Sequence, residues 1–141
     1  MPTDAGPPAA RQTRTVGEAE LWQGVLYLHL LAMAFFIGGQ LLIAAAVVPV
    51  ERANPDPERL RAIARRFGYG SLVALLILLV TGTAMASHYG LWGSSTLQLK
   101  LGVVALVIIL TLAHLRLPRL HALQAAIFLG SLVIVWLGID L

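Results

Sequence analysis

The sequence predicts an all-α fold, an integral membrane four-helix up-down bundle, and three observations lead there. Hydrophobic residues make up 58% of the 141 residues and charged residues only 12%, far from the balance of a soluble domain. The apolar residues gather into four runs, at about 21–49, 67–87, 97–115 and 122–138. A helix needs roughly 20 such residues to cross a hydrocarbon core of about 30 Å. The connections between the last three runs are short, which favours antiparallel neighbours.

Taken in order, residues 1–20 (MPTDAGPPAARQTRTVGEAE) are polar and proline-rich, which predicts a disordered tail. They lack a basic segment followed by a short apolar core, so no cleaved signal peptide is expected and the first run stays as a span. That span is expected to start near Glu20 and to end at Pro49, where proline interrupts backbone hydrogen bonding. Asn54-Pro55-Asp56-Pro57 is turn chemistry. Glu58 to Arg66 fits either a short basic helix on the inner leaflet, with Leu60, Ile63 and Ala64 against lipid, or a plain set of charged anchors. The second span ends near Ser87-His88-Tyr89-Gly90. After the loop LWGSS, any of Ser94, Ser95 and Thr96 can cap the third span. It runs to the turn RLPRLH, and the fourth span returns to Asp140.

The formal charge of +3 would suggest nucleic acid in a soluble protein; here it reads as topology, and no nucleic-acid partner is expected. Of the ten basic residues, seven (Arg52, Arg59, Arg61, Arg65, Arg66, Arg116 and Arg119) fall in two connections, and Arg11, Arg14 and Lys100 fall on the other side. Lys and Arg concentrate on the cytoplasmic face, so the basic connection 50–66 is expected in the cytoplasm. Both termini are expected outside a multi-pass protein of the cell inner (plasma) membrane. Trp22, Trp92 and Trp136 fit an outer interfacial belt. With no cysteine, disulfides, iron–sulfur clusters and thiolate metal sites are excluded.

Ionisable residues at membrane depth are costly and tend to face a protein interior. His29 and Lys100 interrupt two of the longest apolar runs. At the helical rise, His29 sits roughly 10–12 Å and Lys100 roughly 5 Å below the outer start of its span. His88 and Asp140 fall at the same end. Helical spacing aligns His29, Met33, Phe36 and Gln40 on one face, and Lys100, Val104, Val107, Thr111 and His114 on another. Ala74, Ile77, Thr81, Met85 and His88, and then Gln124, Phe128, Ser131, Val135 and Gly138, complete an inward-facing set. Each candidate has a plainer reading as well. Lys100 can snorkel to the headgroups, and His29 can be a structural histidine bonded to a carbonyl or hydroxyl. His88, His114 and His121 can be interfacial, and Met33 and Met85 can be packing.

Several short motifs resemble a known family. They are His29 ahead of Phe36-Ile37-Gly38-Gly39, then Arg65-Arg66-Phe67, Thr81-Gly82 and Leu97-Gln98-Leu99-Lys100-Leu101. Over about residues 21–118 the chain is similar to the copper-resistance D (CopD) domain family and to the HemJ-type protoporphyrinogen oxidases. The fourth span matches by hydropathy alone. The HemJ resemblance implies haem b, a porphyrin ligand and porphyrinogen oxidation, with His29 and Lys100 as the essential pair. An imidazole can ligate haem iron, and a cation can hold an acidic porphyrin side chain. Phe36 stands where a tryptophan is common, and no second histidine lies at the depth of His29, so a five-coordinate haem or ligation by Lys100 would be required. The CopD resemblance implies copper as the ligand instead, with His29 as ligand and His88, Met33 and Met85 as weaker ones, since imidazole and thioether suit copper. Met33 and Met85 differ in depth by roughly 10–15 Å, which suits a path better than a single site. A third reading is an accessory subunit without chemistry, working in a homo-oligomer or beside a membrane partner.

The charge distribution sets an expected outcome. Alkaline phosphatase fused after Leu141 is expected to be active and a fused green fluorescent protein dark; the reverse pattern would overturn the outside placement of the C-terminus.

Overall fold

The computed structural model describes residues 8–116 and 121–139, and these are almost wholly helical. Helix α1 (Pro8–Leu42) passes through a π turn (Ile43–Val47) into α2 (Val48–Ala53), forming one rod. Then come α3 (Pro57–His88), a 3-10 turn (Leu91–Gly93), α4 (Ser95–Arg116) and α5 (His121–Ile139). The all-α expectation holds. Val16–Ala53, Pro57–His88 and Ser95–His114 are each long and apolar enough to cross a membrane, and Leu123–Ile139 is a shorter apolar helix.

Two boundaries differ from expectation, and the structure narrows a third that the sequence leaves open. The tail is helical from Pro8, so disorder does not describe residues 8–20. The first span does not stop at Pro49. Proline lacks an N–H, and its ring crowds the carbonyl four residues earlier. The π turn widens the ladder just there, the Val48 N–H reaching back to the Ile43 carbonyl, and the rod continues to Ala53. Finally, Glu58 to Arg66 is not a separate surface helix but the opening of α3, so the non-helical part of the 50–66 connection shrinks to residues 54–56.

That turn follows from its prolines. A residue before proline is pushed to extended backbone, and Asn54 (φ −140°, ψ 84°) and Asp56 (φ −134°, ψ 95°) are both extended. Asp56 then caps α3, its carboxylate accepting from the N–H groups of Glu58 (3.1 Å) and Arg59 (3.0 Å), with Pro57 at the first helical position. Buried Glu51 accepts the Asp56 N–H at 3.1 Å and pairs with the Arg59 guanidinium. Arg59 also donates to the Asn54 carbonyl at 3.0 Å. At the far end of α3, Gly90 takes a left-handed conformation (φ 67°) that releases the chain. Of the three candidate caps for α4, Ser94 is the one used, its hydroxyl accepting the Leu97 N–H at 3.4 Å.

Helix α1 packs along α3, and α4 along α5. Down the first pair His29 meets Thr81, the Phe35 ring meets Gly70, and Gly39 faces the Phe67 ring; the falling partner numbers show that α1 and α3 run antiparallel. Down the second, Lys100 meets Gly138 and Val107 meets Gly130. Gln40 joins the pairs, its amide donating to the Ser131 hydroxyl at 3.4 Å. Ala32, Phe36, Ala74, Leu75, Val107 and Ile127 form the core. Outside it the usual pattern is inverted: Gln40, Ser71, Thr81, Thr111 and Ser131 are buried, whereas Leu76, Val80, Ile109 and Leu129 are exposed. Small and polar residues inside with apolar ones outside is the arrangement that hydrocarbon favours.

Two outcomes are expected. A methyl group on Gly130 would lie 2.7 Å from Cγ2 of fully buried Val107, whose branched side chain is stiff. Gly130→Ala should therefore be less stable than Gly102→Ala, which meets nothing within 4 Å, by about 1–3 kcal/mol of overpacking, read as a lower melting temperature in detergent. The second concerns Asp56, whose carboxyl is held below the ordinary aspartate range, first by the Arg59 N–H and further by that of Glu58. A lowered native value means its cap contribution is complete above the ordinary aspartate range and is lost as pH falls through the native value. Protection factors of the amides at the start of α3, taken as exchange relative to the intrinsic rate at each pH, should fall on acidification, and Asp56→Ala should remove that dependence.

Candidate functional site

The two helix pairs are bridged at Gln40 and Ser131, and beyond that bridge they enclose a cavity of about 410 Å³ lined from all four long helices. That volume lies within the range of small-molecule and cofactor pockets. Its wall is overwhelmingly apolar, with His29, Met33 and Phe36 from α1, Met85 from α3, Lys100 from α4 and Ser131 from α5. Measured from the Gln40–Ser131 bond, about 16 Å of α1 leads to His29 and about 10 Å of α5 leads to Gly138, beside Lys100. The histidine and the lysine therefore enter one cavity, about 6 Å apart along the axis.

His29 is half-buried, and its Nδ1 lies 2.8 Å from the Thr81 hydroxyl. Its Nε2 makes no hydrogen bond among the described residues. Gly82 lies beside the ring: a methyl group there would meet Cε1 at 3.5 Å, an ordinary van der Waals contact. Lys100 is also half-buried and, among the described residues, its ammonium makes no hydrogen bond or ion pair. It folds over α5, where a methyl on Gly138 would lie 2.9 Å from Nζ. That position is close to the last carbonyls of α5, which favour a cation.

The predicted residues divide accordingly. His29, Lys100, Met33 and Met85 share the cavity. His88 does not line it: its ring stacks on Trp22 at 3.8 Å and 17°, edge-on to Tyr89, outside the cavity mouth. Met33 lies one turn below His29 and Met85 one turn above Thr81, so the thioethers flank the histidine about 12 Å apart along the axis. His114 lies in the last turn of α4, away from the cavity lining. Asp140 and the side chain of His121 lie outside the described residues. Among the described residues no group of three or more His, Cys, Asp and Glu converges as a metal site.

Sequence reasoning placed Thr81 on an inward face without pairing it with His29; the signal was a hydroxyl beside a glycine, Thr81-Gly82. It missed Ser71 altogether. The Ser71 hydroxyl and the Gln40 carbonyl oxygen are buried without hydrogen-bond partners among the described residues.

No family model matches the chain, and no solved structure matches it. The chain is similar to an uncharacterized protein of Aquifex aeolicus (strain VF5), 31% identical over 94 residues that make up 63% of this chain and 64% of that protein. The chain thus spans just under two thirds of that relative's length.

Proposed function

We propose that the protein is a CopD/HemJ-type membrane protein that binds haem b in this cavity, for a redox role in the membrane such as porphyrinogen oxidation. One observation carries the reading: an imidazole nitrogen free of hydrogen bonds among the described residues and a lysine ammonium enter the same apolar cavity. The donor set fits the group. A neutral imidazole can ligate the iron, the ammonium can hold a carboxylate of the porphyrin, and the apolar wall excludes water and raises the local electrostatic stakes. When bound, haem would supply one-electron chemistry; His29 would hold the iron and Lys100 an acidic side chain of the porphyrin.

The wider frame of the proposal is an up-down four-helix bundle in the plasma membrane with both termini outside. Three helices long and apolar enough to span, a shorter apolar fourth, the antiparallel contacts and the clustering of arginines around the Asn54–Asp56 turn support it. The cavity then opens toward the outer leaflet. Copper handling is the second reading, favoured by Met33 and Met85 sharing the cavity with His29. It is the weaker one, because the thioethers stand at different heights. An accessory subunit is the third.

An absorption spectrum of protein purified in mild detergent tests all three. A Soret band is expected, lost in His29→Ala and weakened in Lys100→Met. A Soret band unchanged in His29→Ala would overturn the assignment of His29 as the ligand. Colourless protein carrying stoichiometric copper would favour the second reading, and protein with neither haem nor copper the third.

A further inference from the structure

The Thr81 hydroxyl has one hydrogen, and its direction is set. Oγ1 lies 2.6 Å from the carbonyl of Ile77 one turn earlier, with Leu78 farther off at 3.4 Å. Threonine in a helix makes this back-bond readily, and at 6% exposure the hydroxyl has no bulk water to turn to. The hydrogen therefore points at Ile77, and the oxygen can only accept from whatever else approaches. What approaches is His29 Nδ1, at 2.8 Å. A hydrogen bond there requires the proton on Nδ1. In a neutral imidazole the other nitrogen then carries the lone pair, and Nε2 is the nitrogen without a hydrogen bond among the described residues.

We propose that Thr81 is a positioning residue that holds His29 in the Nδ1–H tautomer and thereby presents the Nε2 lone pair to a ligand in the cavity. The lock itself stands on the geometry of α1 against α3; its consequence for haem rests on the function proposed above. A histidine that ligates a metal commonly donates its other N–H to a neighbouring acceptor, which fixes the ring and its tautomer. The Ile77 carbonyl, Thr81 and His29 form such a relay of two hydrogen bonds across the helix pair.

Nitrogen-15 NMR of histidine-labelled protein, ligand-free in mild detergent, reads the tautomer directly. His29 should carry its proton on Nδ1 in the native protein. Thr81→Val keeps the shape and removes the acceptor, so a proton population should appear on Nε2, and Thr81→Ser should restore Nδ1–H. Hemin titrated into the same samples and followed at the Soret band should bind Thr81→Val about 10–100-fold more weakly, with Thr81→Ser close to native. An Nε2–H tautomer in the native protein overturns the lock, and that measurement needs no variant to fold. A tautomer unmoved by Thr81→Val also overturns it. A tautomer that moves while hemin affinity stays at the native level overturns the positioning role. A native protein that shows the lock but binds no hemin overturns the haem reading and leaves the lock standing.

Discussion

Hydrocarbon offers a polar group no solvent to bond with, and the hydrogen bonds of Thr81, Thr111, Ser131 and the Gln40 amide nitrogen follow from that constraint. Thr111 and Ser131 turn their hydroxyls onto their own helices, to Val107 and Ile127. Gln40 bonds the Phe36 carbonyl at 3.1 Å before reaching Ser131. Thr81 satisfies Ile77 and then has an oxygen left over for His29. Because lipid is as apolar as the core, burial of apolar surface does little to bring the helices together. Close approach does more, and it occurs where Gly39 admits Phe67, Gly130 admits Val107 and Gly138 admits Lys100.

The same constraint separates the two ends of the bundle. At the Gln40 end the helix pairs are stitched by side chains that fill space. At the other end they diverge around an apolar cavity into which two costly groups protrude. An interhelical hydrogen bond in a membrane contributes on average about 0.6 kcal/mol and at most ~1.7. The His29–Thr81 bond is therefore too weak to hold the fold. It can bias two imidazole tautomers by about threefold at that average and nearly twentyfold at that maximum. Its main consequence is for the direction of a lone pair rather than for stability.

His29 could have been a structural histidine bonded to a hydroxyl, and it does make that bond. The bond engages one ring nitrogen only, which leaves the plain reading and the ligand reading compatible. The Lys100 ammonium lies over Gly138 in the last turn of α5 and lines the cavity. His88 was legible as an ionisable residue at the right end of α3, but aromatic stacking on Trp22 takes it outside the cavity lining. Depth along a helix could be counted from sequence; the sideways direction of a residue in the last turn could not.

By itself the sequence determined the helices and their inward faces, because helical period and apolar length are local properties. His29, Gln40, Thr81, Thr111 and Ser131 could all be assigned to inward faces from spacing alone. It also marked the turn at Asn54–Asp56, since proline acts on its immediate neighbours. It misjudged Pro49, because a π turn upstream accommodates that proline, and it misjudged the tail, because polar composition does not forbid a helix. Only the tertiary structure decided which faces meet. The register of α1 on α3 set Thr81, rather than Ile77 or Met85, opposite His29, and the register of α4 on α5 brought Lys100 to Gly138. Those registers depend on which glycines admit which side chains, a matter of shape between segments far apart in the chain.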